Sequence, residues 1–589
     1  MDINAILTLL AACSVIIGMA FDKWPPEWLV IAAVAFLIAV GVLTPQQALN
    51  GFSNPGMITV GALYIIAAGV QETGALRLIT SPILGKPRST QQALLRLIPF
   101  TSVSSALLNN TPIVAMMIGV VQNWGRRLKL SPSRLLLPLS YAAILGGTLT
   151  LIGTSTNLVI NGLLQSKLDM PSLGFFAITP IGLVVFFVGM LWMLLIGWRF
   201  LPDNKGLLQS LDDAREYSVV MQVSTHSPLH GVSLQKAKLR NLNNGYLAEI
   251  ERDGELLSTV NQDTVLQAGD RLLFIGSAQC AQEVRQVNGL EVDGEESFDL
   301  ESHNRTYVEV VLSPRSSLVG STVKDANFRS QYQAVILAVS RNGERIMTKP
   351  GEIELQGGDT LLLDTTQDFE KRYRHSSEFL LVSPLGQSTY VENIRYAPLA
   401  LGLLIGMVVI HVIGWVSLVG AALMVAVLMV FTGCITPQRA AKSVNIPVLV
   451  VIAGALAIGH AMASTGAAAW LADHIADASG HMPWLALLLM YVVTVFFTEI
   501  ITNNAAAVLM FPVGVALSQQ LNVSVMPFTI AIMFAASASF LTPLGYQTNL
   551  MVYGPGGYHL KDYIKVGLPM TLLIMTASVL MIPVVFPFI

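Results

Sequence analysis

The sequence predicts a polytopic α-helical membrane protein: two inverted repeats, each with a re-entrant hairpin and a broken helix, around a polar α+β insert. Three observations carry that prediction. The 589 residues are 53% hydrophobic and only 12% charged, where a soluble protein carries about 25% charged residues. Charge is concentrated in residues 202–393, which leaves 1–201 and 394–589 as two nearly uncharged halves. Those halves resemble each other at a fixed offset. GVLTPQQA at 41–48 matches GCITPQRA at 433–440, Thr73-Gly74-Ala75 matches Thr465-Gly466-Ala467, and Asn157 matches Asn549, all 392 apart; Asn110 and Asn503 are 393 apart.

A membrane span needs about 20 apolar residues. Candidates in the first half are Ile3–Phe21, Trp28–Leu43, Met57–Thr73, a bent segment Leu135–Leu164 and Phe175–Leu201. The second half offers Tyr396–Val412, Val416–Thr432, Val448–Ser464, a bent segment Met526–Tyr553 and Ile564–Ile589. Between the third and fourth candidate of each half lies an apolar piece interrupted by Pro, Ser or Asn, at 98–122 and 484–517. Such a piece fits a re-entrant hairpin, because non-helical backbone survives at membrane depth only when buried in protein or lining a cavity. The first span follows Met1-Asp2 without a basic region or a small-residue cleavage site, so it reads as a span rather than a cleaved signal.

Lys and Arg orient the spans. Lys23, Arg77, Lys86, Arg88 and Arg96 precede the first hairpin, and Arg126, Arg127, Lys129 and Arg134 follow it. Arg439, Lys442, Lys561 and Lys565 fall in later loops, and the segments flanking the second hairpin hold no Lys or Arg. Hairpin one then enters from the cytoplasm and hairpin two from outside, with both termini outside and 202–393 cytoplasmic. Lys167 is the exception.

The insert repeats with a period of 89. Gly231 pairs with Gly320, Ala237 with Ala326, Arg252 with Arg341, Gly254 with Gly343, and Asp270 with Asp359. Its alternating β-branched runs end in turn dipeptides, the pattern of strand hairpins. Two modules are expected, at 202–290 and 291–393, with an acidic linker run at Asp293–Glu296.

Several chemistries find no residues to carry them. Cys13, Cys280 and Cys434 are far apart and form no metal or disulfide spacing. There is no Ser/His/Asp arrangement, Walker sequence or GxGxxG, so neither catalysis nor ATP-driven transport is expected, and no organic cofactor. A net charge of −3 gives no reason to expect nucleic acid.

The polar residues buried in the two halves are the candidates for chemistry. The hairpin tips carry Asn109-Asn110-Thr111 and Thr502-Asn503-Asn504; the broken spans carry Gly153-Thr154-Ser155-Thr156-Asn157 and Gly545-Tyr546-Gln547-Thr548-Asn549. Inverted repeats with discontinuous helices are the architecture of secondary transporters, whose site lies where the repeats meet. Freed amides at a half-helix start attract an anion, and freed carbonyls can coordinate a cation. No Lys or Arg lies in these four stretches. The bland reading is helix–helix glue by Asn and Thr, and the inverted duplication favours a transport site over it. Glu499, one turn before the second tip, is a candidate coupling group, although its counterpart is Ala106. Glu72 reads as an interface residue, and His411 and His460 as packing histidines.

These residues resemble the divalent anion:sodium symporter (DASS) family, which carries paired Ser-Asn-Thr tips and a small-Thr-Pro-Pro-Asn-like break in each half. The resemblance implies elevator-type alternating access with sodium as the coupling ion. It implies one sodium site at Ser105, Asn109, Asn110 and Gly153 and another at Thr498, Thr502, Asn503 and Gly545. Asn110, Thr111, Thr154, Asn503, Asn504 and Tyr546 would then face the substrate. The chain departs from the family at Asn109, Thr502 and Asn504 in the tips, and at Ser155-Thr156 and Gln547-Thr548 in the breaks. This more polar lining favours a small hydrated oxyanion such as sulfate over a dicarboxylate. The insert resembles a tandem pair of TrkA C-terminal (RCK-C) modules. That pairing implies a homodimer in the cell (inner) membrane, a nucleotide-type ligand on the modules, and similarity to sulfur-limitation-type sulfate permeases.

Overall fold

In a computed structural model of the chain, the described residues are all but 1, 22–23, 129, 204–217, 240–241, 243–244, 253–254, 258–262, 277–282, 293–304, 315, 327, 342–343, 347–349, 367, 374–375, 377, 385–393 and 544. Lys23, Lys129, Gly254, Gly343 and the acidic run at 293–296 therefore lie outside the described residues. The chain divides into two compact units. One comprises Met1–Asp203, Val391–Tyr553 and Tyr558–Ile589; the other comprises Asn204–Tyr390 with Gly554–Gly557.

The first unit is helical, and among the described residues each half runs through ten α-helices in the same order. In the first half these are α1 (Ile3–Ala20), α2 (Pro26–Ala39), α3 (Pro45–Leu49), α4 (Pro55–Glu72), α5 (Ala75–Leu84), α6 (Thr90–Leu107), α7 (Asn110–Arg127), α8 (Ser133–Gly147), α9 (Ser155–Leu168) and α10 (Thr179–Leu195). Two short helices of the insert, α11 (Phe328–Tyr332) and α12 (Phe369–Tyr373), come next. The second half follows with α13 (Ala397–Val412), α14 (Leu418–Phe431), α15 (Pro437–Ser443), α16 (Ile446–Ser464), α17 (Ala467–Ala478), α18 (Pro483–Thr498), α19 (Asn503–Gln520), α20 (Met526–Ser537), α21 (Gln547–Tyr553) and α22 (Leu560–Val585).

Four of these are long and apolar enough by themselves to cross a membrane: Ile3–Ala20, Ile394–Val412, Ile446–Ser464 and Leu560–Val585. Pro45–Ser53 and Pro55–Glu72 pass together as a pair bent by 45°. Helices such as α2, with 14 residues, reach only about 21 Å at 1.5 Å per residue, so length alone identifies fewer spans than the ten expected from hydropathy. Broken spans count as two half-helices, which lowers the number further. The helices α5 and α17 are amphipathic pieces that follow glycines at positive φ, Gly74 (64°) and Gly466 (77°). Neither is apolar enough to signal a span, and the sequence reading had no element there.

The breaks are built by the same hydrogen bonds in both halves. The Asn157 amide donates to the carbonyls of Gly147 (3.3 Å) and Thr150 (3.2 Å). Asn549 donates likewise to Ser539 (3.0 Å) and Thr542 (3.2 Å), each partner displaced by 392 residues. A helix that stops leaves carbonyls without intrahelical partners, and at membrane depth no water can take them. One asparagine in each broken span satisfies two.

The second unit holds two five-stranded antiparallel sheets. In the first, β1 (Ser218–Val223), β2 (Gly245–Arg252), β3 (Glu255–Leu256), β4 (Arg271–Gly276) and β5 (Leu290–Val292) lie in the order β3-β2-β4-β1-β5. In the second, β6 (Arg305–Leu312), β7 (Ala334–Arg341), β8 (Glu344–Arg345), β9 (Thr360–Thr366) and β10 (Phe379–Pro384) take the same order, β8-β7-β9-β6-β10. The register shift between Leu247 and Glu249 recurs between Ile336 and Ala338, 89 residues on. Each sheet covers its own apolar core, around Ile250, Leu266, Leu272 and Phe274 in one and Val310, Leu355, Leu361 and Leu363 in the other.

Asp270 and Asp359, which close the glycine turns, are held inside these modules. Arg252 grips Asp270 through Nε (2.7 Å) and Nη2 (2.8 Å), and Arg341 grips Asp359 through the same atoms at 2.8 Å each. The Gln267 and Gln356 amides donate to the two carboxylates at 2.8 Å. Carboxylates so engaged are turn anchors, and the hydrogen bond to the Asp359 carboxylate raises the Arg341 pKa in return.

Candidate functional site

Each hairpin is two long helices joined by a short tip. In the first, α6 ends at Leu107, Leu108 is extended (φ −132°, ψ 154°), and α7 begins at Asn110. In the second, α18 ends at Thr498 and α19 begins at Asn503, with Thr502 as its extended N-cap. The broken spans restart at Ser155, after the N-cap Thr154, and at Gln547. Neither Thr154 nor Thr502 caps its own helix with its side chain.

The tip of each hairpin meets the break of the opposite half. Asn110 hydrogen-bonds the Tyr546 hydroxyl, and Thr111 donates to Gln547 Oε1 at 3.4 Å. Asn504 Oδ1 accepts from Ser155 Oγ (3.1 Å) and Thr156 Oγ1 (3.3 Å). Thr154 Oγ1 lies 3.5 Å from the Tyr546 hydroxyl. Beneath them Ser140 Oγ reaches Thr548 Oγ1 (2.9 Å) and Asn549 Oδ1 (2.7 Å), tying the broken spans together. Three long helices and the short α21 thus begin around one polar centre. Their first-turn amides and positive dipole ends suit an anion.

Two oxygen cages flank this centre, again as copies. In half one, Ser105 Oγ donates to the Ala143 carbonyl (2.9 Å) and contacts the Asn110 carboxamide at 2.5 Å. In half two, Thr498 Oγ1 donates to the Ala536 carbonyl (2.6 Å) and lies 3.2 Å from Asn503 Oδ1. Gly153 closes the first cage, where a Cβ would lie 2.7 Å from the Gly147 carbonyl oxygen. Gly545 closes the second, where a Cβ would lie 2.2 Å from Ser539 Oγ, 2.9 Å from Glu499 Oε2 and 3.0 Å from the Thr498 carbonyl oxygen. Side-chain-free positions beside carbonyls and hydroxyls are what a small bare cation needs.

A citrate transporter family model matches residues 16–513 and 408–589. The chain belongs to the citrate transporter (CitMHS) family. It is 34% identical to an uncharacterized transporter of Synechocystis, over 97% of this chain and 96% of that protein. It is 35% identical, over 92% of this chain and 94% of the relative, to a Chlamydomonas reinhardtii protein carrying the name sulfur deprivation response regulator. Sodium/sulfate cotransporter 2 of the same alga is 27% identical over 95% of this chain and 87% of its own. A membrane transporter with several apolar helices is the coarse reading on which chain and relatives agree.

Of the expected residues, Ser105, Asn110 and Gly153 come together in one cage and Thr498, Asn503 and Gly545 in the other. Asn110, Thr111, Thr154, Asn504 and Tyr546 meet across the halves. Asn109 and Thr502 do not join through their side chains: Asn109 is half-buried at the tip, Thr502 is exposed, and neither side chain forms a hydrogen bond among the described residues. Glu499 is drawn into the second break, where Oε1 accepts from the Leu541 amide (3.0 Å) and Oε2 from Thr542 Oγ1 (2.8 Å). Glu72 pairs with Arg439, and His460 Nδ1 lies 3.1 Å from Lys167 Nζ.

Sequence reasoning missed Gln547, Ser155 and Thr156 as cross-half contacts, and Ser140, Gly147 and Ser539 altogether. The offset could have flagged Gly147 and Ser539, since both stand 10 residues before the break asparagine whose amide bonds their carbonyls.

Proposed function

We propose that this chain is a sodium-coupled secondary symporter of a small divalent anion, sulfate foremost, working by elevator-type alternating access. The observation that carries the reading is the meeting of each hairpin tip with the opposite break, among hydroxyls, carboxamides and helix starts and without Lys or Arg. An anion held by amides and dipoles, with cations in the two adjacent cages, binds firmly only when the cations are present. It is released when they leave. A fixed arginine would hold it in both states. Sodium occupies the cages of Ser105, Asn110 and Gly153 and of Thr498, Asn503 and Gly545, with backbone carbonyls at Asn109 and Thr502 as further ligands. The sulfate in the name of the algal cotransporter supports the choice of anion.

On this reading the halves are inverted in the membrane, residues 202–393 face the cytoplasm and both termini lie outside. The insert acts as a TrkA-C-like pair that dimerises the transporter in the inner membrane and takes a nucleotide-type ligand. The test is sodium-dependent uptake of labelled sulfate into proteoliposomes by the wild type, Asn110→Ala and Asn503→Ala. Each substitution is expected to reduce uptake by at least about tenfold, the loss of one charge-assisted contact. Full-rate uptake by both variants would remove the site.

A second reading is favoured by Glu499, a carboxylate lodged in the second break. Here a proton replaces one sodium, or a dicarboxylate or other oxyanion is the cargo. Uptake indifferent to sodium but driven by a pH gradient would select proton coupling. A competition panel of oxyanions and dicarboxylates ranks the cargo.

A further inference from the structure

Asn110 is fully buried, and its carboxamide stands between two unlike surroundings. On one side lie three oxygens: Ser105 Oγ at 2.5 Å, the Ala143 carbonyl at 3.1 Å and the Gly153 carbonyl at 3.0 Å. On the other lies the Tyr546 hydroxyl. A carboxamide has two donors at one end and only an acceptor at the other, and carbonyls accept only. The cage therefore takes the amide nitrogen, Ser105 spends its own proton on Ala143 (2.9 Å), and Tyr546 donates its proton to Asn110 Oδ1.

A cation in the same cage demands the opposite polarity. The amide nitrogen, with its partial positive charge, would be repelled, and Oδ1 would become a ligand. The carboxamide turns over about its last torsion, which is a soft sp³–sp² rotation. Its nitrogen then faces Tyr546, whose oxygen must accept. The Tyr546 proton has to point elsewhere, and the polar atom on that side is Thr154 Oγ1 at 3.5 Å, among the residues of the anion centre.

We propose that Asn110 and Tyr546 form a polarity switch through which cation binding creates a hydrogen-bond donor for the anion. In one setting Tyr546 shows the anion centre its lone pairs and repels an oxyanion. In the other it shows its O–H. Cation and anion are coupled through the direction of one proton, with no proton transferred and no helix displaced. The inference rests on the sodium–anion reading above.

The second half has no such device. Thr498 Oγ1, like Ser105 Oγ, spends its one proton on a backbone carbonyl, that of Ala536 (2.6 Å), and lies 3.2 Å from Asn503 Oδ1. The position equivalent to Tyr546 is Thr154, whose hydroxyl lies toward Tyr546 rather than Asn503. One cage thus gates the anion donor, and the other supplies only charge.

The test measures sulfate affinity of the full-length protein in nanodiscs, with and without saturating sodium, together with the thermal stabilisation that sodium alone confers. In the wild type, sodium should raise sulfate affinity within the range of about 5- to 150-fold usual for linked sites. Tyr546→Phe keeps the ring and removes the proton. Sodium should stabilise this variant as it does the wild type, and its gain in sulfate affinity should shrink to less than about twofold. Asn110→Asp, with oxygen at both ends, should bind sodium yet bind sulfate weakly at every sodium concentration, because Tyr546 goes on donating to it. Retention of the full sodium gain by either variant overturns the switch. A wild type in which sodium does not raise sulfate affinity overturns the transport reading and the switch with it, an outcome distinct from failure in a variant alone.

Discussion

Two duplications lie in this chain, and they have aged differently. In the insert, the residues that repeat at 89 have stayed the same where they hold the fold. Arg252 and Asp270 are answered by Arg341 and Asp359 with distances matching within 0.1 Å for the shared contacts, 2.7 and 2.8 Å against 2.8 and 2.8 Å. In the membrane halves, the residues that shape the breaks also match, Asn157 with Asn549 and Ser105 with Thr498. Those that line the centre do not. Ala106 stands opposite Glu499, Gly147 opposite Ser539, Thr111 opposite Asn504 and Thr154 opposite Tyr546. A module that only has to fold keeps its twin anchors. A centre shared by two halves binds one cargo, and nothing requires its two walls to be alike.

The largest expected effect breaks the insert's symmetry. Arg341→Ala leaves Asp359, with 1% of its side chain exposed, as a buried carboxylate without its partner. Stripping one partner from a buried pair costs about 3–5 kcal/mol. The second module should open while the first stays closed, so hydrogen exchange in the full-length protein should rise across 305–384 and not across 218–292. Arg252→Ala should produce the reverse pattern. Equal exchange in both modules after either change would mean that they fold as one body.

A smaller effect separates the two cages. Gly153→Ala drives a Cβ against the Gly147 backbone, 2.7 Å from its carbonyl oxygen and 2.9 Å from its Cα. That carbonyl is also bonded by Asn157 and cannot yield without loosening the break. Overpacking of this kind costs about 1–3 kcal/mol. At Gly545 the nearest atom is the Ser539 hydroxyl at 2.2 Å, which can rotate away, ahead of Glu499 Oε2 at 2.9 Å and the Thr498 carbonyl oxygen at 3.0 Å. Gly545→Ala should therefore lower the melting temperature less than Gly153→Ala, while both weaken the response to sodium. The opposite ranking would show that the second break is the more rigid.

The sequence revealed the duplication and the polar stretches because both are statements about residue type at a spacing. It could not reveal which stretch faces which. A repeat pairs residue i with i + 392, yet the contacts that build the centre join Asn110 to Tyr546 and Asn504 to Ser155, tip against opposite break. How two halves dock is decided by close packing along α6, α8, α9 and α19, and no periodicity encodes it. Asn109 and Thr502 show a related limit. The family motif marks them as tip residues, but their side chains form no hydrogen bond among the described residues, so the backbone is what they offer. The helices α5 and α17 were missed for another reason: each is too short and too amphipathic for a hydropathy window set for spans.

The smallest effect on stability is expected where the two halves differ most in charge. In half one Thr150 Oγ1 donates to the Ala106 carbonyl at 2.5 Å. In half two the equivalent Thr542 gives its bond to Glu499 Oε2 (2.8 Å) and stands 3.4 Å from the Glu499 carbonyl, the contact that half one uses. Glu499→Ala therefore leaves Thr542 a ready acceptor and frees chiefly the Leu541 amide, a loss of about 1 kcal/mol. The two breaks should then fold alike. What should change is the cation. Next to the carboxylate, Ser539 Oγ is buried with no hydrogen-bond partner of good geometry, and with Glu499 Oε2 and the Thr498 carbonyl it converges on the space beside Gly545. Removing a full negative charge from that cluster should weaken sodium binding by about tenfold or more, equivalent to at least about 1.4 kcal/mol. Glu499→Gln, which keeps the shape and one acceptor, should lose as much sodium affinity as the alanine if charge is the cause. If Glu499→Gln binds sodium like the wild type while Glu499→Ala does not, the carboxylate serves as a brace for Leu541 and Thr542, and the proton-coupled reading loses its only support. If both variants fold and both lose sodium together, the second cage is the charged one, and the difference between Ala106 and Glu499 marks where the two halves took separate roles.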